Sequence, residues 1–175
     1  MGEEIRTERL VLRPARGDDA EWIVPHCAEP RIYRMLQRMK PRQSLEESRA
    51  FLVSLEQDTR AHVFTVWEEG VFCGLCGIER NASGLDELGY WFAVSAWGRG
   101  IAHESAEAVI GFGRREKRLK ALVSGHFADN PASGRVLARL GFLPAGWGLR
   151  HSLGRGEWVR HRAMGLIFKE NGPHP

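Results

Sequence analysis

Gly98 and Gly100 stand one residue apart in Ser95-Ala96-Trp97-Gly98-Arg99-Gly100-Ile101-Ala102, a spacing that suggests phosphate chemistry. An alternating apolar segment, Leu88-Gly89-Tyr90-Trp91-Phe92-Ala93-Val94, precedes them, and Ile101, Ser105, Ala108, Val109 and Phe112 follow at helical spacing. The pattern predicts a strand, a turn and a helix. Without Cβ atoms the turn lets a ligand touch bare backbone. The unpaired N–H groups of the helix's first turn then point at that ligand, with the positive end of the helix dipole behind them. Such a corner binds phosphate or pyrophosphate; it is equally a tight strand-to-helix turn with no ligand. Two common phosphate loops are excluded. No Gly-x-x-x-x-Gly-Lys-Ser/Thr is present, and the dinucleotide fingerprint fails at His103, with Lys120 where an acidic residue is required.

Cys73-Gly74-Leu75-Cys76 is formally a Cys-x-x-Cys, but it lies in Val71–Ile78, which reads as a strand. Residues three apart on a regular strand point to opposite faces, so the two thiols are not expected to bridge or share a metal. A zinc site would need two further ligands, and no second Cys pair exists. The expectation is two buried structural cysteines, no metal and a reduced, cytoplasmic protein, since the three cysteines form no disulfide framework.

These residues need a core to hold them, and 175 residues with 43 % apolar and 27 % charged content supply one, most simply as a single domain over 1–175. A net charge of +3 and a pI near 9.0 are only mildly basic. The densest run, Arg114-Arg115-Glu116-Lys117-Arg118-Leu119-Lys120, falls at a helix C-terminus, where cations are favoured anyway. No basic-aromatic stripe interleaves along the chain, so no nucleic acid is expected as partner. Neither a signal peptide nor an 18-residue apolar run is found, so no membrane is expected either.

In chain order, Leu10–Pro14 reads as a strand, Gly17-Asp18-Asp19 as a helix cap, and Pro25, Pro30 and Pro41 as breaks in a stretch of short helices and loops. Ser44-Leu45-Glu46-Glu47 is a capping box before a helix whose apolar side carries Ala50, Phe51 and Leu55. Val63–Trp67 and Val71–Ile78 form a hairpin around Glu68-Glu69-Gly70. After the central helix, Ala121–Phe127 is a strand, and Asn130 caps a helix with Pro131 at its first position and Gly141 at its end. Strands around Gly146–Leu153 and Trp158–Ile167 close the chain. The order predicts an α/β fold (α+β in some schemes), a mixed sheet with helices on both faces.

Trp97-Gly98-Arg99-Gly100-Ile101-Ala102 resembles the acyl-CoA pyrophosphate loop of the GCN5-related N-acetyltransferase (GNAT) superfamily, whose pattern is Gln/Arg-x-x-Gly-x-Gly/Ala. The resemblance is to the subgroup that includes the RimJ and RimL enzymes. Trp97 stands where the pattern begins with Gln or Arg, a departure that subgroup often shares. Thr7-x-Arg9-Leu10-x-Leu12-Arg13-Pro14, the Gly74/Gly77 strand, and Asn130-x-x-Ser133 followed by Leu140-Gly141-Phe142 resemble three further family motifs, in the family's order. The resemblance implies one GNAT domain over 1–175 with a mostly antiparallel sheet of about six to seven strands. It also implies acetyl-CoA as cofactor, and an amine acceptor that is a protein N-terminus or a small molecule. The protein is expected as a monomer or homodimer.

The resemblance also implies roles. Phe92, Ala93, Val94, Trp97, Gly98, Arg99, Gly100, Ile101, Ala102, Asn130 and Ser133 would contact the cofactor, with backbone N–H groups near Phe92 and Val94 polarising the thioester. Tyr33, Met35, Met39 and Trp91 would touch the acceptor, although packing is the blander role for Tyr33, Met35 and Met39. Glu87 is the first choice for the base that takes the amine proton, and His126 the second; a solvated carboxylate and a surface histidine are the plain alternatives. Many relatives protonate the leaving thiolate with a tyrosine seven residues after the Asn; that position is Leu137 here, leaving Ser133 as the polar group. An acyl-CoA-binding module without catalysis is the competing class.

Overall fold

The computed structural model describes residues 3–168. Its strands are Ile5–Arg6 (β1), Leu10–Pro14 (β2), His62–Glu68 (β3), Val71–Arg80 (β4), Asp86–Phe92 (β5), Ala121–Phe127 (β6), Leu143–Ser152 (β7) and Glu157–Ile167 (β8). They form one eight-stranded sheet in the order β1-β2-β3-β4-β5-β6-β8-β7. The strand beyond the six to seven expected is β1, only two residues long and too short to carry a readable alternation.

Every neighbouring pair is antiparallel except β5 and β6, which run parallel and share a single registered pair, Glu87 with Val123. Past that pair the two strands have no ladder between them. The sheet therefore opens into a gap at the C-terminal end of β5, directly before the Gly98/Gly100 turn.

The helices Ala20–Cys27 (α1), Pro30–Tyr33 (α2) and Leu45–Gln57 (α3) cover one face; Ile101–Glu116 (α4) and Pro131–Arg139 (α5) cover the other. Two cores result. Leu10, Leu12, Phe64, Val66, Ile78 and Leu88 pack against α4 and α5, while Trp67, Phe72 and Leu75 pack against α1 to α3. Pro25 does not end α1 but sits inside it, where its missing N–H removes one helical bond.

Local signals hold where the chemistry is local. Ser44 Oγ accepts from Glu47 N–H at 3.0 Å and Glu47 accepts from Ser44 N–H at 2.9 Å, the reciprocal box that starts α3. Glu69 and Gly70, with φ of 49° and 80°, make the two-residue turn between β3 and β4. The buried side of α3, however, is Ser48 and Leu52, not the expected Ala50, Phe51 and Leu55. Leu52 faces the helical layer around α1, where Leu55 also packs in part, while Ala50, Phe51 and the rest of Leu55 border an open cleft.

A β-bulge corrects a second expectation. The β3–β4 register slips between Val66 and Trp67, which pair with Gly74 and Phe72 and leave Cys73 extra. The slip resets the two-residue alternation, and Cys73 and Cys76 both point into the α4-side core. They remain free, buried thiols, pushed up in pKa by burial. No group of three or more metal-ligating side chains occurs among the described residues.

Pairing across the β7–β8 hairpin also builds an interleaving that no linear stretch shows. Trp147 pairs with Arg162, Leu149 with Arg160 and His151 with Trp158 on one exposed face. The Arg160 and Arg162 guanidinium groups lie 4.8 and 4.7 Å from the Trp147 ring. Among the described residues, no helix is long and apolar enough to cross a membrane.

Candidate active site

The turn before α4 has the geometry its glycines predict. Gly98 and Gly100 adopt φ of 73° and 81°, the left-handed region open to glycine at least cost. Gly100 is the N-cap of α4 and supplies no side-chain cap, so the N–H groups of Ile101, Ala102 and His103 have no side-chain partner from the cap and face the turn. The turn is braced from the β1–β2 connection: Arg9 Nη2 donates to Arg99 O at 3.2 Å and to Glu104 Oε2 at 2.6 Å, and Thr7 Oγ1 donates to Glu104 Oε1 at 2.6 Å. Thr7 and Arg9 are legible as a motif, but this bracing role is not. Arg99 lies outside the cleft, its guanidinium on Glu68. Its contribution to a ligand is therefore backbone.

At the end of β5 the hydrogen-bonding direction is fixed by one contact. Ala93 N–H donates to Cys73 O at 2.8 Å, so alternation along an antiparallel pair turns the N–H and C=O of Phe92, Tyr90 and Leu88 away from β4. The other contacts agree. Trp97 Nε1 donates to Phe92 O at 2.9 Å and Ser124 Oγ to Leu88 O at 2.8 Å. The N–H groups of Tyr90 and Phe92 thus point into the β5–β6 gap. Of their neighbours, the Ala93 amide is spent on β4 and the Val94 side chain packs into the α1–α3 core, and neither residue lines the cleft.

A cleft of about 930 Å³ runs through the gap and reaches both glycines of the turn. Glu87, His126 and Ser133 all lie on its wall, and so do Trp97, Ile101, Ala102 and Asn130. Met35 and Trp91 border it. Tyr33 does not. Its ring packs over Gly154 in the β7–β8 turn, because α2 is a single turn that faces that hairpin. Ser152 Oγ and Leu153 N–H hold the adjoining loop through Leu36 O and Gln37 O at 3.0 and 2.9 Å.

The polar groups are held individually. Glu87 Oε2 accepts from Asn81 Nδ2 at 2.9 Å, and Oε1 lies 3.7 Å from Arg150 Nη1. His126 Nδ1 is 2.8 Å from Phe127 O, and since a carbonyl only accepts, Nδ1 carries the proton and Nε2 is the acceptor of the neutral ring. Asn130 Oδ1 accepts from Ser133 N–H at 3.2 Å, the N-cap bond of α5. Leu137 is fully buried and contributes no polar group.

Sequence reasoning missed Arg150 and His161, which join Glu87 and His126 on the cleft wall. They come from β7 and β8, and no local pattern ties them to β5. The buried His161 ring lies against Gly125. Burial, then the Arg150 charge, holds its pKa down at about 4; Glu87 opposes and His126 adds to the lowering. Between its ordinary 6.5 and about 4, the unfolded chain binds a proton that the native ring does not. Stability therefore falls as the pH drops through that window. Replacing His161 with Asn removes this contribution, and thermal melts of both proteins from pH 7 to 4 should show a flatter dependence for the variant.

The chain matches the family described as the acetyltransferase (GNAT) domain over residues 9–143. It is 31 % identical to the [ribosomal protein uS5]-alanine N-acetyltransferase of Escherichia coli, covering 97 % of this chain and 93 % of that one. It is 23 % identical to the uncharacterized N-acetyltransferase p20 of Bacillus licheniformis over 96 % and 98 % of the two chains. A solved RimL ribosomal L7/L12 α-N-protein acetyltransferase with coenzyme A shares the fold at a TM-score of 0.82 and 21 % identity, covering 94 % and 98 %. The uncapped α4 N-terminus, the glycine turn and the inward amides of β5 suit a pyrophosphate joined to an extended amide-bearing arm. The chain belongs to the GNAT acetyltransferases, on the RimJ/RimL-like branch, and is an acetyl-CoA-dependent N-acetyltransferase.

Proposed function

We infer that the protein acetylates the α-amine of a protein N-terminus by direct attack of the amine on the thioester. The observation that carries the reading furthest is the placement of Glu87 and Ser133 on the wall of one cleft that opens at the β5–β6 gap. Acetyl-CoA supplies an activated acyl carbon and a thiolate leaving group. The backbone of Gly98 to Ala102 would hold its pyrophosphate, with Asn130 bordering the same cavity. Tyr90 and Phe92 N–H groups would donate to the arm and to the carbonyl oxygen where negative charge develops.

Glu87 takes the amine proton directly or through one water, with the Nε2 of His126 as the second candidate. Ser133 Oγ donates a hydrogen bond to the departing sulfur. A carboxylate base suits an α-amine better than a lysine. The α-amine has a pKa of about 8 and is partly neutral at working pH, whereas a lysine amine near 10.4 is almost wholly charged. The whole-length likeness to an enzyme named for a ribosomal-protein alanine supports the same acceptor class.

An acceptor panel with acetyl-CoA tests the reading by free-thiol release. Peptides with free N-termini should be acetylated at the α-amine, and N-terminally blocked lysine peptides should not. A higher kcat/KM for polyamines or aminoglycosides than for any peptide would move the acceptor to small-molecule amines.

A further inference from the structure

Leu137 leaves α5 without a tyrosine, yet a tyrosine hydroxyl reaches the same helix from the strand opposite. Tyr90 Oη, on β5, lies 3.0 Å from Ser133 Oγ and 3.3 Å from Ser133 O. The carbonyl oxygen only accepts, and the phenol has one proton to give. Two arrangements follow. If Tyr90 donates to Ser133 O, Ser133 Oγ–H donates back to Tyr90 and its proton is turned inward. When Tyr90 donates to Ser133 Oγ instead, the serine's proton is free to point into the cleft. The two differ by the rotation of two hydroxyl groups.

We propose that Tyr90 is a positioning residue of the transfer reaction: it donates to Ser133 Oγ and so turns the serine's proton toward the sulfur that leaves the acyl group. The proposal rests on the reading that Ser133 serves that sulfur. Burial pushes the Tyr90 phenol above its ordinary range, so it stays protonated and acts as a fixed donor, not as the source of the proton. The step balances without a serine alkoxide. The amine nitrogen–carbon bond forms and the carbon–sulfur bond breaks with its electron pair on sulfur. Ser133 shares its hydrogen with that pair while keeping the O–H bond, Glu87 takes the amine proton, and solvent water protonates the released thiolate. Ser133 itself is fixed by its N-cap bond to Asn130. The only freedom left for Tyr90 to govern is the serine's rotor.

Tyr90→Phe removes one atom and leaves the ring that packs beside Phe92. A hydrogen bond of ordinary strength predicts a fall in kcat of about 3- to 10-fold, with KM for acetyl-CoA and for the acceptor peptide unchanged. Because Tyr90 acts through Ser133, the Tyr90→Phe/Ser133→Ala double variant should be no slower than Ser133→Ala alone. Thermal melts and acetyl-CoA titrations of each variant report the fold. Tyr90→Met is the second hydroxyl-free side chain should Phe disturb it. Three outcomes overturn the proposal. Wild-type kcat in Ser133→Ala removes the serine's role and with it the reading beneath. A slow Ser133→Ala beside an unimpaired Tyr90→Phe removes only the tyrosine. A double variant slowed by the product of the two single effects makes them independent.

Discussion

Gly100→Asp gives a folded protein that no longer binds acetyl-CoA. Residue 100 holds φ at +81°, and a Cβ built there meets nothing nearer than Arg9 Nη2 at 3.7 Å, so the protein itself has room for a side chain. The backbone cost is bounded at about 1–2 kcal/mol for an L-residue in the left-handed region, and Asp is among the residues that tolerate it. Binding suffers far more. The new carboxylate occupies the space in front of the uncapped N–H groups of Ile101, Ala102 and His103, where a pyrophosphate would sit. Two unit charges about 4 Å apart at an effective dielectric near 20 repel by about 4 kcal/mol, roughly a thousand-fold in affinity. Gly100→Asn keeps the shape and the left-handed tolerance without the charge, and should lose much less. Calorimetric titration of the two variants separates charge from bulk. Unchanged affinity in folded Gly100→Asp would put the pyrophosphate elsewhere.

The features legible in the sequence are those decided within a few residues. Gly98 and Gly100 mark a turn that needs positive φ, Ser44 and Glu47 cap α3 reciprocally, and Asn130, Pro131 and Gly141 punctuate α5 at its start and end. The same local logic marks the corner proposed to hold the cofactor, since a helix N-terminus and the turn before it are contiguous in the chain. Periodicity breaks where a neighbouring strand overrides it. The bulge opposite Val66 and Trp67 places Cys73 and Cys76 on one face although a regular strand would separate them. Tyr33 is likewise claimed by Gly154, far along the chain.

The chemistry of the cleft is less legible because it is assembled by sheet order. Glu87 is locally readable as a carboxylate at the start of a strand. Its neighbours Arg150 and His161 arrive because β8 and β7 follow β6 in the sheet. Tyr90 and Ser133 stand 43 residues apart and meet across the gap between β5 and α5. Reading down the chain, Leu137 looks like a lost acid; in space, the hydroxyl beside Ser133 comes from β5. The Trp147, Arg160 and Arg162 cluster teaches the same lesson, since its basic-aromatic interleaving exists only across a hairpin.

Glu87→Gln is expected to lower kcat by about 10²–10⁴-fold, the usual worth of general-base catalysis. The substitution is nearly isosteric, and the environment should accept it. Gln can keep the bond from Asn81 Nδ2, now 2.9 Å from Glu87 Oε2, by presenting its carbonyl oxygen there. What it gives up is the partly exposed, 3.7 Å approach of Arg150, an interaction of small value. Acetyl-CoA affinity should change little, because residue 87 lies at the start of β5, at the far end of the strand from the Gly98–Ala102 turn. A loss confined to kcat therefore reads the proton transfer and not the binding. The competing account is that positioning alone suffices and the amine sheds its proton to bulk water. Under it, Glu87→Gln is nearly silent and the rate tracks the free-amine fraction of the acceptor as pH rises. The pH–rate profiles of wild type and variant decide between the two. If Glu87→Gln keeps most of its kcat and the wild-type acid limb, Glu87 is not the base. The His126 ring, with Nε2 as acceptor on the same cleft wall, then becomes the group to remove.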